Sequence, residues 1–336
     1  MSLPKLSAPT DTRAKSAFTP PTPLPYGQTA GSLIDPQSLM AIKSLEMRAK
    51  VVVEGFWNGL HRSPYHGFSV EFTEYRQYSP GDDTRYLDWR LYARTDRYYI
   101  KKFEDETNLR CHLLVDNSRS MGYGSLSYTK AQYANTLAAT LAYFLYLQGD
   151  AVGLLTFDER IREYLPARNR TGHLRHVMLA LEKPAVGTST NLEAPLKRIV
   201  EIVKKRGSLV LITDLLAPID TLEKHLIGLT ACRHDVVLFH ILDPAEMAFK
   251  FEQALMFHDV ESGRDLYINP ADVRKDYLRK LEAHNTAAQA ICLKLGIGYH
   301  RFATDRPLEL ALFDFLRERM QRGKKTKRTG TVKVRS

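Results

Sequence analysis

Four short, almost wholly apolar segments, residues 111–115, 151–157, 208–213 and 235–242, do most to limit what this chain can become. A strand with no polar alternation is hidden on both faces, which happens when helices cover both sides of a mainly parallel sheet. The stretches between them have helical periodicity: Leu137, Leu141 and Leu145 fall on one face of 128–147, and 173–181, 192–205, 220–229, 272–295 and 307–317 read similarly. Residues 151–157 and 161–164 flank Asp158-Glu159-Arg160 as a hairpin would, and 254–258, 265–268 and 298–302 read as further strands. The expected fold is α/β, a doubly wound, mainly parallel sheet flanked by helices.

Ahead of this body the pattern differs. Residues 1–34 are rich in Pro, Ser and Thr and read as a disordered arm. Asp35-Pro36 then opens a helix predicted to run to about residue 56. Residues 67–106 are aromatic, charged and turn-rich, with strands expected where Phe68, Val70 and Phe72 alternate and at 98–103. The predicted organisation is an arm at 1–34, a helical and β extension at 35–107 and an α/β domain at 108–305. A helix at 306–321 and a basic disordered tail at 322–336 complete it.

The formal charge of +10 belongs to the ends. Residues 317–336 hold nine Lys/Arg against Glu318, and 1–34 hold Lys5, Arg13 and Lys15 against Asp11, which leaves the body neutral. The tail is thus the one expected route to nucleic acid, and a solvated terminus is the simpler reading. Cys111, Cys232 and Cys292 lie far apart without a C-x-x-C pair and predict buried thiols. Neither a span of about 20 apolar residues nor a signal-peptide core occurs, so a cytoplasmic protein is expected.

The chemistry concentrates where strands end. Asp116-Asn117-Ser118-Arg119-Ser120 follows the apolar 111–115 and places one carboxylate and two hydroxyls on alternate positions of a loop. Thr188-Ser189-Thr190 precedes a helix, and Asp214 directly follows the strand at 208–213. In an open α/β sheet these loops meet beyond the C-terminal strand edge. Hard oxygen donors carrying few charges suit Mg²⁺ or Mn²⁺. The bland alternative is a loop bridge or helix cap.

These residues resemble the metal-ion-dependent adhesion site of the von Willebrand factor type A fold, over roughly 108–305. The resemblance implies Ser118, Ser120 and a threonine as direct ligands, with Asp116 and Asp214 holding them and acting through water. Thr190 is favoured over Thr188 because Asn191-Leu192 starts the helix. Upstream, the run from Glu71 through Ser79-Pro80-Gly81-Asp82 to Trp89, followed by Ala93-Arg94, is similar to the signature of the domain-of-unknown-function-58 family. Members of that family often occur with MoxR-type AAA+ ATPases. That implies a MoxR-type ATPase or its client as partner, with no small-molecule substrate. Arg76, Arg85, Arg90 and Arg94 are expected to pair with Glu71, Asp82, Asp83 and Asp88 and to dock this segment on the α/β domain.

No P-loop, G-x-S-x-G or H-E-x-x-H motif occurs. The expectation is a non-enzymatic protein-interaction module. A phosphoryl hydrolase on the same sheet edge is an alternative, weakened because Ser118 stands where a second acid is needed. His112, His240 and His300 are read as core or edge packing, and His173 and His176 as a solvated helix face.

Overall fold

A computed structural model describes residues 33–62, 74–77, 99–102, 109–184, 193–249, 255–258, 265–268 and 270–329. Helices α1 (Pro36–Met40) and α2 (Leu45–Arg62) come first. A two-stranded antiparallel pair follows, β1 (Glu74–Gln77) with β2 (Tyr99–Lys102). The main sheet uses β3 (Arg110–Asp116), β4 (Ala151–Phe157), β5 (Ile161–Arg168), β6 (Ser208–Thr213), β7 (Asp235–Leu242) and β10 (Gly298–Ala303). Between them lie α3 (Lys130–Leu147), α4 (His173–Leu181), α5 (Glu193–Ile202), α6 (Ile219–Ala231), α7 (Pro244–Ala248) and α8 (Pro270–Lys294). Strands β8 (Leu255–His258) and β9 (Asp265–Ile268) pair separately, and α9 (Glu309–Thr329) ends the described chain.

The six strands stand in the order β5-β4-β3-β6-β7-β10, and every pairing is parallel except β4 with β5. The sheet therefore grows outward in both directions from β3 and β6, and the chain reverses its winding between them. Side chains alternate faces along a strand. Leu113, Val115, Val210, Ile212 and Phe239 pack with α2, α3, α4 and α9, while Leu114, Leu155, Leu209, Leu211 and Leu238 pack with α5, α6 and α8. Both faces are apolar, which is why these strands lack polar alternation in the sequence.

Helix α3 is apolar nearly all round, with 14 of its 18 residues buried, because α2 covers the side turned away from the sheet. Phe56 of α2 meets Phe144 of α3 edge-on at 5.8 Å and Phe313 of α9 at 4.7 Å. Thr129 caps α3, its hydroxyl accepting from Gln132 N–H at 3.2 Å while the Gln132 side chain accepts from Thr129 N–H at 2.9 Å. This reciprocal box fixes where α3 starts, and so fixes Lys130, the first residue inside it.

Three boundaries differ from the sequence reading. The single helix expected from Asp35 is two, because Ser44 starts a new one: its Oγ accepts from Met47 N–H at 3.3 Å. The last helix continues through Thr329, where a tail was expected from 322. Its Lys- and Arg-rich end favours helix and suits the negative pole of the macrodipole. Arg319 belongs to the packed part, donating to Asp150 at 2.8 Å and Gln148 at 2.9 Å. Helix α7 was not anticipated; Asp243 and Glu246 form its capping box. The strand expected at Phe68–Phe72, and the charged network apart from the backbone of Arg76, lie outside the described residues. Among the described residues no helix is long and apolar enough to cross a membrane.

His112 is buried in β3 and kept neutral, burial pulling its ring down to about 4 with His234 and Arg110 pushing the same way. Against it lies Gly153 of β4, where a Cβ would stand 2.7 Å from His112 Cδ2 and 2.9 Å from the Ala167 nitrogen. Two strands hold that space closed. Gly153→Ala is expected to destabilise the fold by about 1–3 kcal/mol, measured as a lowered urea midpoint with an unchanged slope.

Candidate functional site

The winding reversal puts the C-terminal ends of β3 and β6 side by side, and an open α/β sheet has its crevice there. Asp116, the last residue of β3, is wholly buried and uses both carboxylate oxygens. Its Oδ1 accepts from the Ser118 N–H at 2.9 Å. Its Oδ2 accepts from the Thr213 hydroxyl at 2.6 Å, across from the end of β6. The first bond curls the loop back; the second ties that loop to the neighbouring strand. Ser118 and Ser120 are thereby turned together, their hydroxyl oxygens 3.0 Å apart and buried.

Asp214 follows Thr213 and is also buried. Burial first and the charge of Asp214 second raise the Asp116 carboxyl to about 7, against the bonds from Thr213 and Ser118. Two acids side by side and buried need a cation. Lys130 provides one, its ammonium 2.9 Å from Asp214 Oδ2 and 2.7 Å from Glu246 Oε1. Burial would lower this lysine, but Asp214 and Glu246 outweigh it and the ammonium is held above its ordinary value. Glu246 is itself fixed, because its Oε2 accepts from Asp243 N–H at 2.9 Å in the α7 capping box.

The backbone after β6 is locked too. Leu215 has φ of 54°, a left-handed conformation unfavourable for leucine. It is held by three bonds: its N–H to the Thr213 hydroxyl at 3.1 Å, and its carbonyl accepting from Ala217 N–H at 2.7 Å and from His284 Nε2–H at 3.0 Å. His240 on β7 donates Nε2–H to the Asp214 carbonyl at 2.9 Å, which leaves Nδ1 to accept from the Tyr299 hydroxyl at 2.7 Å. Burial lowers His240 to about 4 against the opposing pull of Asp214, so the ring is a neutral strut. Asp243 closes the far side, accepting from Ser125 N–H at 2.9 Å and Ser125 O–H at 2.5 Å.

A family model described as "Protein of unknown function DUF58" matches residues 74–287. The chain belongs to the DUF58 family. The match begins inside the aromatic and charged segment and takes in β3 to β7, stopping before β10. Uncharacterized proteins of Mycobacterium bovis and of Mycobacterium tuberculosis are each 28% identical over 303 residues, spanning 88% of this chain and 93% of theirs. Among solved structures, BatB of Bacteroides thetaiotaomicron is 12% identical, with a TM-score of 0.42 over 63% of this chain and 99% of that one. The SpRpn10 VWA domain is 13% identical, with a TM-score of 0.36 over 60% and 92%. The sheet of this DUF58 protein has six strands, one antiparallel edge and its winding reversal between β3 and β6.

Four of the five residues singled out in the sequence, Asp116, Ser118, Ser120 and Asp214, stand together at that crevice. The fifth, Thr190, and its rival Thr188 lie outside the described residues. Among the described residues no cluster of three His, Cys, Asp or Glu side chains could hold a metal. Adjacent ligands of an octahedral Mg²⁺, each about 2.1 Å from the ion, lie about 3 Å apart, and the two serine oxygens meet that spacing. In that one spacing the two serines fit such an ion.

Sequence reasoning missed Thr213, Lys130, Glu246 and the role of His240. A lysine opening an otherwise apolar helix was the one visible signal. His240 was expected to be packing and is buried, yet it carries the backbone of Asp214. His173 is half-buried, its Nε2–H donating to the Val152 carbonyl at 2.8 Å, while His176 is exposed as expected. Replacing Thr213 by Val is expected to cost about 1–3 kcal/mol, because it strips a partner from the buried Asp116 carboxylate. Chemical denaturation of the two proteins measures that loss.

Proposed function

We propose that this DUF58 protein is a non-enzymatic, cytoplasmic interaction module that binds an acidic residue of a partner through a divalent ion. Ser118, Ser120 and Thr190 would hold Mg²⁺ or Mn²⁺, with Asp116 and Asp214 behind them acting through water. The family and the fold both suggest a protein-interaction module. The ion supplies concentrated positive charge on a hard centre, which a carboxylate from outside can complete.

One observation carries this reading: the pair of buried serine oxygens at 3.0 Å, held by a carboxylate whose own oxygens are already engaged. Asp116 accepts from both sides, and the hydroxyl it holds, that of Thr213, is wholly buried and already accepts from Leu215 N–H, so it is not offered to a substrate. That supports binding over catalysis, since a nucleophile needs a base beside it. Few negative charges surround the serines, because Lys130 offsets Asp214. An ion held by neutral hydroxyls stays electron-poor and attracts a further carboxylate. The partner proposed is a MoxR-type AAA+ ATPase or its client, the pair acting in assembly or maturation of protein complexes.

Capture of the MoxR-type ATPase from the same genome on the immobilised chain tests the reading. Capture is expected in Mg²⁺ and is expected to fall at least about tenfold in EDTA or with Ser118→Ala, about 1.4 kcal/mol of binding. Equal capture in Mg²⁺ and in EDTA would overturn metal-mediated contact.

A further inference from the structure

Lys130 is 1% exposed and opens α3, where the helix macrodipole already disfavours a cation. A buried ion pair gives little net stability over apolar packing, although breaking one is costly. Stability alone is therefore a poor account of this lysine. Its position is more informative. The ammonium sits on Asp214 Oδ2, and among the described residues the other oxygen of Asp214 has only a long bond, 3.3 Å, from Leu216 N–H. Glu246 offers the same ammonium a second carboxylate, clamped by the α7 capping box so that Oε1 faces Lys130 and Oε2 faces Asp243 N–H. Asp214 is thus shared ground: whatever an ion on the serines gains from it must be shared with Lys130.

We infer that Lys130 is a resident cation that competes with the divalent ion for Asp214 and sets its affinity low, with Glu246 as the carboxylate that keeps the ammonium when the ion engages Asp214. This rests on the reading of Ser118 and Ser120 as ion-holding residues. The mechanism is Coulombic. A fixed positive charge in a poorly screened pocket opposes a second one nearby and neutralises the acid that would draw it in. Without an ion, Lys130 compensates Asp214 and the pocket stays folded. With an ion, the demand of Asp214 on Lys130 falls and Glu246 holds more of it. Glu246 lies on α7, so occupancy of the crevice is felt by the segment joining β7 to the rest of the chain.

Titration calorimetry with MgCl₂ on the full chain, with thermal melts at matched Mg²⁺, decides the matter for wild type, Lys130→Met, Glu246→Gln and Ser118→Ala. Lys130→Met is expected to bind Mg²⁺ at least about fivefold more tightly. It should melt lower than wild type without Mg²⁺ and gain more from Mg²⁺, because ligand stabilisation grows as the dissociation constant falls. Glu246→Gln is expected to bind more weakly, since Lys130 then turns wholly to Asp214. Ser118→Ala with Lys130→Met should lose the gain, which locates the ion on the serines. Mg²⁺ binding to wild type with Lys130→Met no tighter would overturn the competition and leave the ion reading standing. If Lys130→Met does not fold, equal or tighter binding by Glu246→Gln overturns it instead. No Mg²⁺ binding by any of these proteins would overturn the ion reading and this inference together.

Discussion

The hydrogen bond from the Thr213 hydroxyl to Asp116 joins the two strand ends on either side of the winding reversal, and the crevice geometry follows from it. Thr213 also receives Leu215 N–H, so one hydroxyl aligns the loop after β3 with the loop after β6. Asp116 then passes that alignment to Ser118 through the loop backbone. A buried carboxylate tolerates few alternatives: its oxygens must be satisfied, or the group must be neutral. The serine pair is set by that requirement and needs no contact with any ligand to keep its spacing.

Electrostatics supplies the second level. Asp116 and Asp214 are buried neighbours, and the pocket answers with one ammonium and with backbone donors. Each partner is held by something further out. Lys130 is placed by the cap of α3, Glu246 by the cap of α7, and Asp214 by His240 and the left-handed turn at Leu215. The strain in that turn is tolerable because three hydrogen bonds determine it. A crevice built this way is rigid on all the sides described, which suits recognition by charge and geometry.

Much of this was legible without coordinates. The apolar strands of the sheet and the helices over its faces follow from periodicity, because a strand covered on both faces leaves an unmistakable run. Asp116 and Asp214 were visible because each directly follows such a run, and Ser118 and Ser120 because they alternate with Asp116 in the same loop. The helix break at Ser44 and the short helix at Pro244 were not, since caps act over a turn or less while the periodic signal needs several. The extension of α9 through Thr329 was missed because a basic run reads equally as solvated tail and as helix.

By itself the sequence determined the sheet, the faces of its strands and the side chains offered at their C-terminal edge, since those depend on local pattern and chain order. Only the tertiary structure decided how the acids are compensated. Lys130, Glu246 and His240 come to Asp214 from positions 84, 32 and 26 residues away. No local pattern encodes which of many lysines, glutamates or histidines will share a pocket; packing brings them there, and the low dielectric makes their charges matter.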